Sequence, residues 1–345
     1  EGEEIRATTS FVPTEPSGET EVEFTFAGVL ARGKVLVAFE TLSRLGRDLV
    51  VHAQINDTAQ TVNMPYLRTE FSDEHGHHVI TGNEHMELCD NISYSGLVSR
   101  AKYEVEGTLV YKDTGKPVLF ESGEEVHAIA EFTPENPTGS ILLTFSVDAP
   151  LLLGREIVAF ETLRRDGREV AVHADLQDES QTAYVPMIHT TLLSEQGTHY
   201  AKAGKTSLKD KVEYKALRTG IPYTLVGSLV DKSNGEAITS KDDNPLKSLV
   251  TFIPESPYGS VDVSFELDTT DLVGRSLVAF EILYEGESET GREVAIHNDL
   301  ESEDQTINIP SIKTTATNAA NNGKTFDETE HVRIKDGVHY AGPVP

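Results

Sequence analysis

The stretch Ile157–Pro186, IVAFETLRRDGREVAVHADLQDESQTAYVP, decides the fold because it returns twice elsewhere in the chain. An earlier copy, LVAFETLSRLGRDLVVHAQINDTAQTVNMP, ends at Pro65, and a later one, LVAFEILYEGESETGREVAIHNDLESEDQTINIP, ends at Pro310. Each copy has an apolar strand ending in Phe-Glu, a turn, a strand ending in His, an acidic segment, and Gln-Thr before a proline-terminated strand. Corresponding glutamines lie 121 and 124 residues apart, about the size of one immunoglobulin-like sandwich. The chain is therefore predicted to be a repeat array.

Alignment of the copies predicts four segments. Residues 1–65 are the C-terminal half of a repeat, 66–186 and 187–310 are complete repeats, and 311–345 is the N-terminal segment of another. The boundaries follow prolines, which cannot donate to a sheet ladder and so end strands. Because almost no linker separates the segments, neighbouring repeats are expected to be stiffly connected partners in one array.

The pattern within a repeat is that of short strands. In the third repeat, runs rich in Val, Ile, Thr, Tyr and Phe alternate in polarity and are separated by turns such as Ser233-Asn234-Gly235. About eight such runs occur per repeat without a helical period, which is typical of a sandwich. The predicted fold is all-β, with tandem immunoglobulin-like (Cna-B-like) β-sandwich domains.

Composition excludes several classes of function. A formal net charge of −28 and a pI of about 4.7 argue against nucleic-acid binding, which needs clustered Lys and Arg. The single cysteine, Cys89, cannot form an intrachain disulfide and is expected to have no redox role. No apolar run is long enough to span a membrane, and no signal-peptide pattern opens the chain. Because the chain begins inside a repeat, signal and anchor sequences are expected outside it.

The acidic segment of each copy has the residue types of a calcium site, since hard cations prefer carboxylates. Gln54 replaces its first aspartate in the first copy, and Ser302 replaces its second in the third. A metal site is not expected to lose ligands in this way. The sequence therefore predicts neither a metal nor a cofactor.

Five polar residues recur at fixed places in a complete repeat. In the second repeat they are Thr69 on the first strand, Glu161, His173, Asp178, and Gln181 on the last strand. Carboxyl groups held close together with a histidine are suited to proton transfer, and a hydroxyl with a carboxamide is suited to acyl transfer. Taken singly, each residue also fits a structural role, as an edge charge, a hydrogen-bonded strand-end histidine or an acidic turn.

The motifs VAFETL, EVAVHADLQDESQT and YTLVGSLVDKSNG, with the opening threonine, resemble the VaFE repeats of Gram-positive surface proteins, also called T-Q ester-bond domains. The resemblance covers essentially the whole chain. It implies an immunoglobulin-like domain in which a first-strand Thr and a last-strand Gln form an intramolecular ester and release ammonia. Such domains build the stalks of cell-wall-anchored adhesins.

The resemblance also implies a role for each residue. Thr69 is expected to be the nucleophile and Gln181 the acyl donor. Asp178 and Glu161 are expected to share a proton and to polarise the glutamine carboxamide. His173 is expected to assist and to orient the acid pair.

The third repeat departs from the pattern at one position, where Ser302 stands in place of the aspartate. This leaves open whether its bond forms, or whether the adjacent Glu303 or Asp304 substitutes. The residues that match the pattern there are Thr190, Glu281, His297 and Gln305.

Both terminal segments carry part of the site. Truncation explains this, although complementary halves of two molecules could also dock and become linked. The residues concerned are Glu40, His52, Asp57 and Gln60 in the first segment and Thr314 in the last.

The leading hypothesis is a structural stalk of an extracellular adhesin on the bacterial cell surface, stiffened by ester cross-links that join the first and last strands. Each bond would form in a single self-modifying turnover, so the chain is not expected to be an enzyme. A host ligand would bind through a tip domain outside this chain. One alternative is a ligand- or glycan-binding surface module without cross-links. A hydrolase is disfavoured because no Ser or Cys nucleophile recurs with the His and acidic residues.

Overall fold

A computed structural model describes residues 4–82, 85–239, 244–326 and 331–342. Apart from five short 3-10 helices, the regular structure of these residues is antiparallel β-sheet, so the prediction of an all-β fold with tandem sandwiches is confirmed. Within these ranges no helix has the length and hydrophobicity required to cross a bilayer. The 3-10 helices are Gly28–Ala31, Thr58–Gln60, Ala149–Leu151, Glu179–Gln181 and Thr270–Leu272.

The second repeat is a sandwich of two sheets. One sheet has the strand order β5-β6-β9, and the other has the order β11-β10-β7-β8 with β12 also paired to β10. The strands are β5 (Tyr66–Asp73), β6 (His85–Ser95), β7 (Tyr103–Tyr111), β8 (His127–Phe132), β9 (Gly139–Asp148), β10 (Arg155–Arg165), β11 (Arg168–His173) and β12 (Thr182–Val185).

The third repeat reproduces this topology with sheets β13-β14-β17 and β16-β15-β18-β19, and β20 pairs with β18. Its strands are β13 (Met187–Ser194), β14 (Lys205–Lys215), β15 (Tyr223–Asp231), β16 (Lys247–Phe252), β17 (Gly259–Asp268), β18 (Ser276–Glu285), β19 (Arg292–His297) and β20 (Thr306–Asn308).

In the part of each end segment that the structure describes, the strands form only pairs. The N-terminal segment pairs its first strand with its fourth and its second with its third, and the C-terminal segment forms one pair. Their strands are β1 (Val35–Val37), β2 (Glu40–Arg44), β3 (Arg47–His52), β4 (Thr61–Asn63), β21 (Ser311–Asn318) and β22 (Ile334–Ala341).

Strand β10 positions the polar residues of the second repeat. Alternation along a strand turns Ala159, Glu161 and Leu163 towards the core, where all three are fully buried. Two strands pair in succession with the same edge of β10. Val158 pairs with Thr182 on β12, and Glu161 pairs with His173 on β11. The glutamate therefore lies inside the sandwich, next to the point where the edge partner changes.

The second and third repeats contact each other directly. Thr81 Oγ1 donates to the Glu293 carbonyl at 2.8 Å, and Arg292 Nη2 donates to the Val79 carbonyl at 2.5 Å. Val79 also packs in the apolar core cluster of the third repeat. Hydrogen bonds and apolar packing together restrain the relative motion of these two sandwiches.

Gly107 allows the two sheets to approach each other beside Glu161, its register partner on β10. A Cβ atom at this position would lie 2.7 Å from Phe145 Cζ and 2.9 Å from Leu143 Cδ1. We therefore expect Gly107→Ala to lower the free energy of unfolding of the second repeat by about 1 to 3 kcal/mol, through overpacking. Calorimetry of the full chain measures the effect.

A matched control for Gly107 is Gly337, also a strand glycine, whose added Cβ would meet only a backbone oxygen at 3.8 Å. Gly337→Ala is expected to leave stability nearly unchanged. Equal melting of the two variants would contradict the close approach of the sheets at Gly107.

Candidate cross-linking site

Four polar side chains meet inside the second sandwich. Thr69 is 2% exposed, and Asp90, Glu161 and Gln181 are 0% exposed. Thr69, Asp90 and Glu161 lie on inward strand faces among apolar neighbours. Gln181, predicted on the last strand, is instead the final residue of the 3-10 helix Glu179–Gln181, and β12 begins at Thr182. Buried polar groups are costly unless they interact with one another, so this cluster requires internal pairing.

The carboxamide of Gln181 is held by its nitrogen. Nε2 donates to Glu161 Oε2 at 2.7 Å and to the Ala159 carbonyl at 2.8 Å. Its carbonyl oxygen Oε1 is buried without a hydrogen-bond partner. The amide nitrogen is thus in contact with a carboxyl group, and the amide oxygen is free of competing donors.

Asp90 and Glu161 form a buried acid pair. Phe71 on β5 faces Asp90 on β6 in register, and Glu161 approaches Asp90 from the opposite sheet. Burial and then the nearby charge of Asp90 strongly raise the pKa of Glu161, while burial raises the pKa of Asp90 less. Two buried carboxyl groups in contact disfavour double ionisation, so the pair retains a proton at neutral pH.

The predicted proton sharing between Glu161 and Asp178 is replaced in the structure by this Asp90–Glu161 pair. Asp178 instead caps the 3-10 helix Glu179–Gln181, with Oδ1 accepting from the Ser180 backbone N–H at 2.9 Å. Burial alone would raise the pKa of Asp178, but hydrogen bonds from Ser180 and the proximity of His173 lower it. An ionised, partly exposed Asp178 supports the neighbouring histidine.

His173 connects this support to the threonine. Its Nε2 lies 3.2 Å from Asp178 Oδ2, while Nδ1 lies 3.5 Å from Thr69 Oγ1 and 3.7 Å from Glu161 Oε2. Burial lowers the pKa of His173, so a neutral ring that can accept a proton is favoured at neutral pH. The five predicted residues of the second repeat thus lie together, with Asp90 added.

The third repeat contains the same acid pair. Asp210 and Glu281 are fully buried, and burial followed by the hydrogen bond and charge of Asp210 raises the pKa of Glu281 to about 11. Gln305 Nε2 donates to Glu281 Oε2 at 2.9 Å, and Thr190 Oγ1 donates to the same oxygen at 3.2 Å. Ser302 therefore does not deprive this repeat of a buried acid. It removes the carboxylate that would contact His297.

The terminal segments keep parts of this arrangement. In the first, Gln60 Nε2 hydrogen-bonds Glu40 Oε2, and His52 Nε2 lies 3.2 Å from Asp57 Oδ2. Glu40, Gln60 and His52 are more exposed than Glu161, Gln181 and His173, whereas Asp57 is about as exposed as Asp178. In the last segment, Thr314 lies on β21.

Three aspartates are absent from the predicted site residues, although a recurring sequence pattern marks them. Asp90 and Asp210 each occupy an inward position between two buried apolar residues, as in Leu88-x-Asp90-x-Ile92, and Asp336 stands between Ile334 and Val338 on the exposed strand β22. Each faces the residue two positions after the recurring threonine: Phe71, Leu192 and Ala316. An acidic residue repeated at an apolar position indicates a site, because its burial requires compensation.

Comparison with protein families gives one result that spans the chain. The model of the T-Q ester bond containing domain matches residues 1–64, 65–185, 186–309 and 310–345. The chain belongs to this family. It is an array of T-Q ester bond domains, in agreement with the resemblance of its motifs. A search of curated proteins found no significant match.

Solved structures similar to this T-Q ester bond array include bacterial surface proteins. An adhesin from Mobiluncus mulieris, described as containing intramolecular disulfide, isopeptide and ester bond cross-links, is 11% identical with a TM-score of 0.32, covering 81% of this chain and 98% of that one. The C-terminal domain of the AgI/II polypeptide BspA from Streptococcus agalactiae is 11% identical with a TM-score of 0.29, covering 64% and 95%. Similarity at this level does not assign the site.

Proposed function

We propose that each complete repeat forms an ester between its first-strand threonine and the glutamine that immediately precedes its last strand. The observation that carries this proposal is the buried contact of Gln181 Nε2 with Glu161, whose partner is Asp90, beside the Thr69 hydroxyl. A protonated carboxyl at the amide nitrogen has the position that a general acid needs for departure of ammonia. Burial keeps water away from the product.

In the proposed reaction of the second repeat, Thr69 Oγ1 attacks Gln181 Cδ and loses its proton to His173 or the acid pair. The Cδ–Nε2 bond breaks as Glu161 protonates the nitrogen, and ammonia leaves. The proton lost by the hydroxyl restores the protonation of the site, so the net change is an ester in place of an amide and a hydroxyl.

The corresponding proposal for the third repeat links Thr190 to Gln305, with the Asp210–Glu281 pair in the same role. Each reaction occurs once per repeat and consumes its own residues. The chain modifies itself and does not turn over a substrate. No cofactor is needed, because proton transfer and proximity supply the chemistry.

At the scale of the whole protein, we propose a stalk region of a bacterial surface adhesin. The ester would join β5 to Gln181, the residue immediately before β12, so tension between the ends of the repeat would pass through a covalent bond. Contacts between neighbouring repeats would transmit that tension along the array. Cell-wall anchoring and host-ligand binding are assigned to regions outside this chain.

Mass spectrometry of the intact, denatured chain tests the proposal. Two esters predict a mass lower than the sequence mass by two molecules of ammonia. Peptide mapping is expected to recover one cross-linked pair containing Thr69 and Gln181 and another containing Thr190 and Gln305. A chain of full sequence mass, with all four residues in linear peptides, would refute the cross-links.

A further inference from the structure

The support of the site histidine differs between the two complete repeats. In the second, Asp178 contacts His173 Nε2 at 3.2 Å. In the third, Ser302 occupies the equivalent position and offers no carboxylate to His297 Nε2. His297 Nδ1, the nitrogen that corresponds to the one beside Thr69 in the second repeat, is buried without a hydrogen-bond partner. A catalytic imidazole needs a neighbour that fixes its ring, so the third repeat requires a different one.

A second histidine occupies that place. The rings of His189 and His297 have centroids 5.3 Å apart and an interplanar angle of 40°, within the range of aromatic packing. His189 lies on β13 immediately before Thr190, where the second repeat has Arg68. Its ring thus reaches His297 from the strand that carries the nucleophile.

The aspartate of this segment also stands at a different position in the third repeat. The second repeat has Asp178 and Ser180, whereas the third has Ser302 and Asp304 at the same positions. Asp304 Oδ2 lies 3.9 Å from His189 Nε2, a close contact that is longer than a hydrogen bond. The carboxylate in the third repeat is therefore beside His189 and not beside His297.

The two histidines line the same surface recess of about 400 Å³. Through this recess His297 faces solvent on one side, and His189 covers part of that side. The lining residues are Met187, Ile188, His189, Glu213, Lys215 and His297.

We propose that His189 is a positioning residue for the cross-link of the third repeat, holding the His297 ring in place of the missing aspartate. This inference rests on the ester bond proposed above. His189 takes no part in bond making or breaking. It restricts the orientation of His297, and Asp304 restrains His189 in turn.

The test follows bond formation in time during cell-free synthesis of the full chain. Samples are quenched in denaturant, and linked and unlinked peptides of each repeat are quantified by mass spectrometry. We expect His189→Ala to slow formation of the Thr190–Gln305 bond by about tenfold, a fraction of the contribution of a general base. The Thr69–Gln181 bond in the same molecules is expected to form at its usual rate.

Two further variants distinguish positioning from a general loss of structure. His189→Ala combined with Ser302→Asp is expected to regain the wild-type rate, because the new carboxylate can contact His297 as Asp178 contacts His173. The matched variant Arg68→Ala is expected to change neither bond.

The inference is overturned if His189→Ala leaves the third-repeat rate unchanged, or if the double variant is as slow as the single one. It is also overturned if the wild-type third repeat stays unlinked while the second forms its ester. Absence of both bonds in the wild-type chain would instead refute the proposed function itself.

Discussion

Thr69→Ala is expected to produce a folded second repeat without its ester and with much lower stability. The proposed ester would close a loop from Thr69 to Gln181, a separation of 112 residues. By analogy with a disulfide, chain entropy gives a loss of about 4 to 5 kcal/mol. For a domain of this size, that corresponds to a melting temperature lower by roughly 15 °C. Calorimetry of the full chain, alongside its intact mass, measures both consequences.

Thr69→Ser is the control for this experiment. Serine retains the hydroxyl and removes one methyl group from a buried position, so the ammonia deficit is expected to remain and the stability to fall only slightly. The third repeat, whose threonine is unchanged, provides an internal reference in both variants. Similar melting of the Ala and Ser variants, despite different cross-linking, would show that the bond does not stabilise the sandwich.

Asp90→Asn is expected to slow ester formation in the second repeat by about 10² to 10⁴-fold, the usual contribution of general acid–base catalysis. Asparagine preserves the size of the side chain, but it cannot share a proton with Glu161. The high pKa of Glu161 depends first on burial and then on the charge of Asp90. Time-resolved peptide mapping of both repeats measures the rate.

The reciprocal variant, Asp210→Asn, is the matched control, because it is expected to slow ester formation in the third repeat and leave it unchanged in the second.

The pH dependence of folding stability, measured in the unlinked Thr69→Ala variant, tests the acid pair separately. Raised carboxyl pKa values mean that the folded state binds more protons than the unfolded state above about pH 4, so this pair makes stability fall as pH rises.

The fall of folding stability with rising pH is expected to become less steep when Asp90→Asn is added to Thr69→Ala. If Asp90→Asn leaves both the bond-forming rate and this pH dependence unchanged, Asp90 has no part in the acid pair. Comparing the two Thr69→Ala backgrounds removes the opposite contribution of His173, whose lowered pKa makes stability rise with pH near its titration.

Much of the site was readable from the repeats. Gln181, Glu161 and His173 stand at fixed places in a motif that occurs three times, and Thr69 recurs just after a boundary proline. The resemblance implies that Asp178 shares a proton with Glu161, whereas the structure pairs Glu161 with Asp90. Asp90 is distant in sequence and becomes a neighbour only when β6 packs across from β10.

By itself, the sequence determined the repeat, the all-β class and the residue types of the proposed cross-link, because alternation and periodic recurrence are local properties of the chain. The tertiary structure alone decided which carboxyl groups share a proton and which neighbour supports each histidine. Those roles depend on burial and on distances between sheets. Within Ile157–Pro186, Glu161 pairs with Asp90 from the other sheet, whereas Asp178 contacts His173.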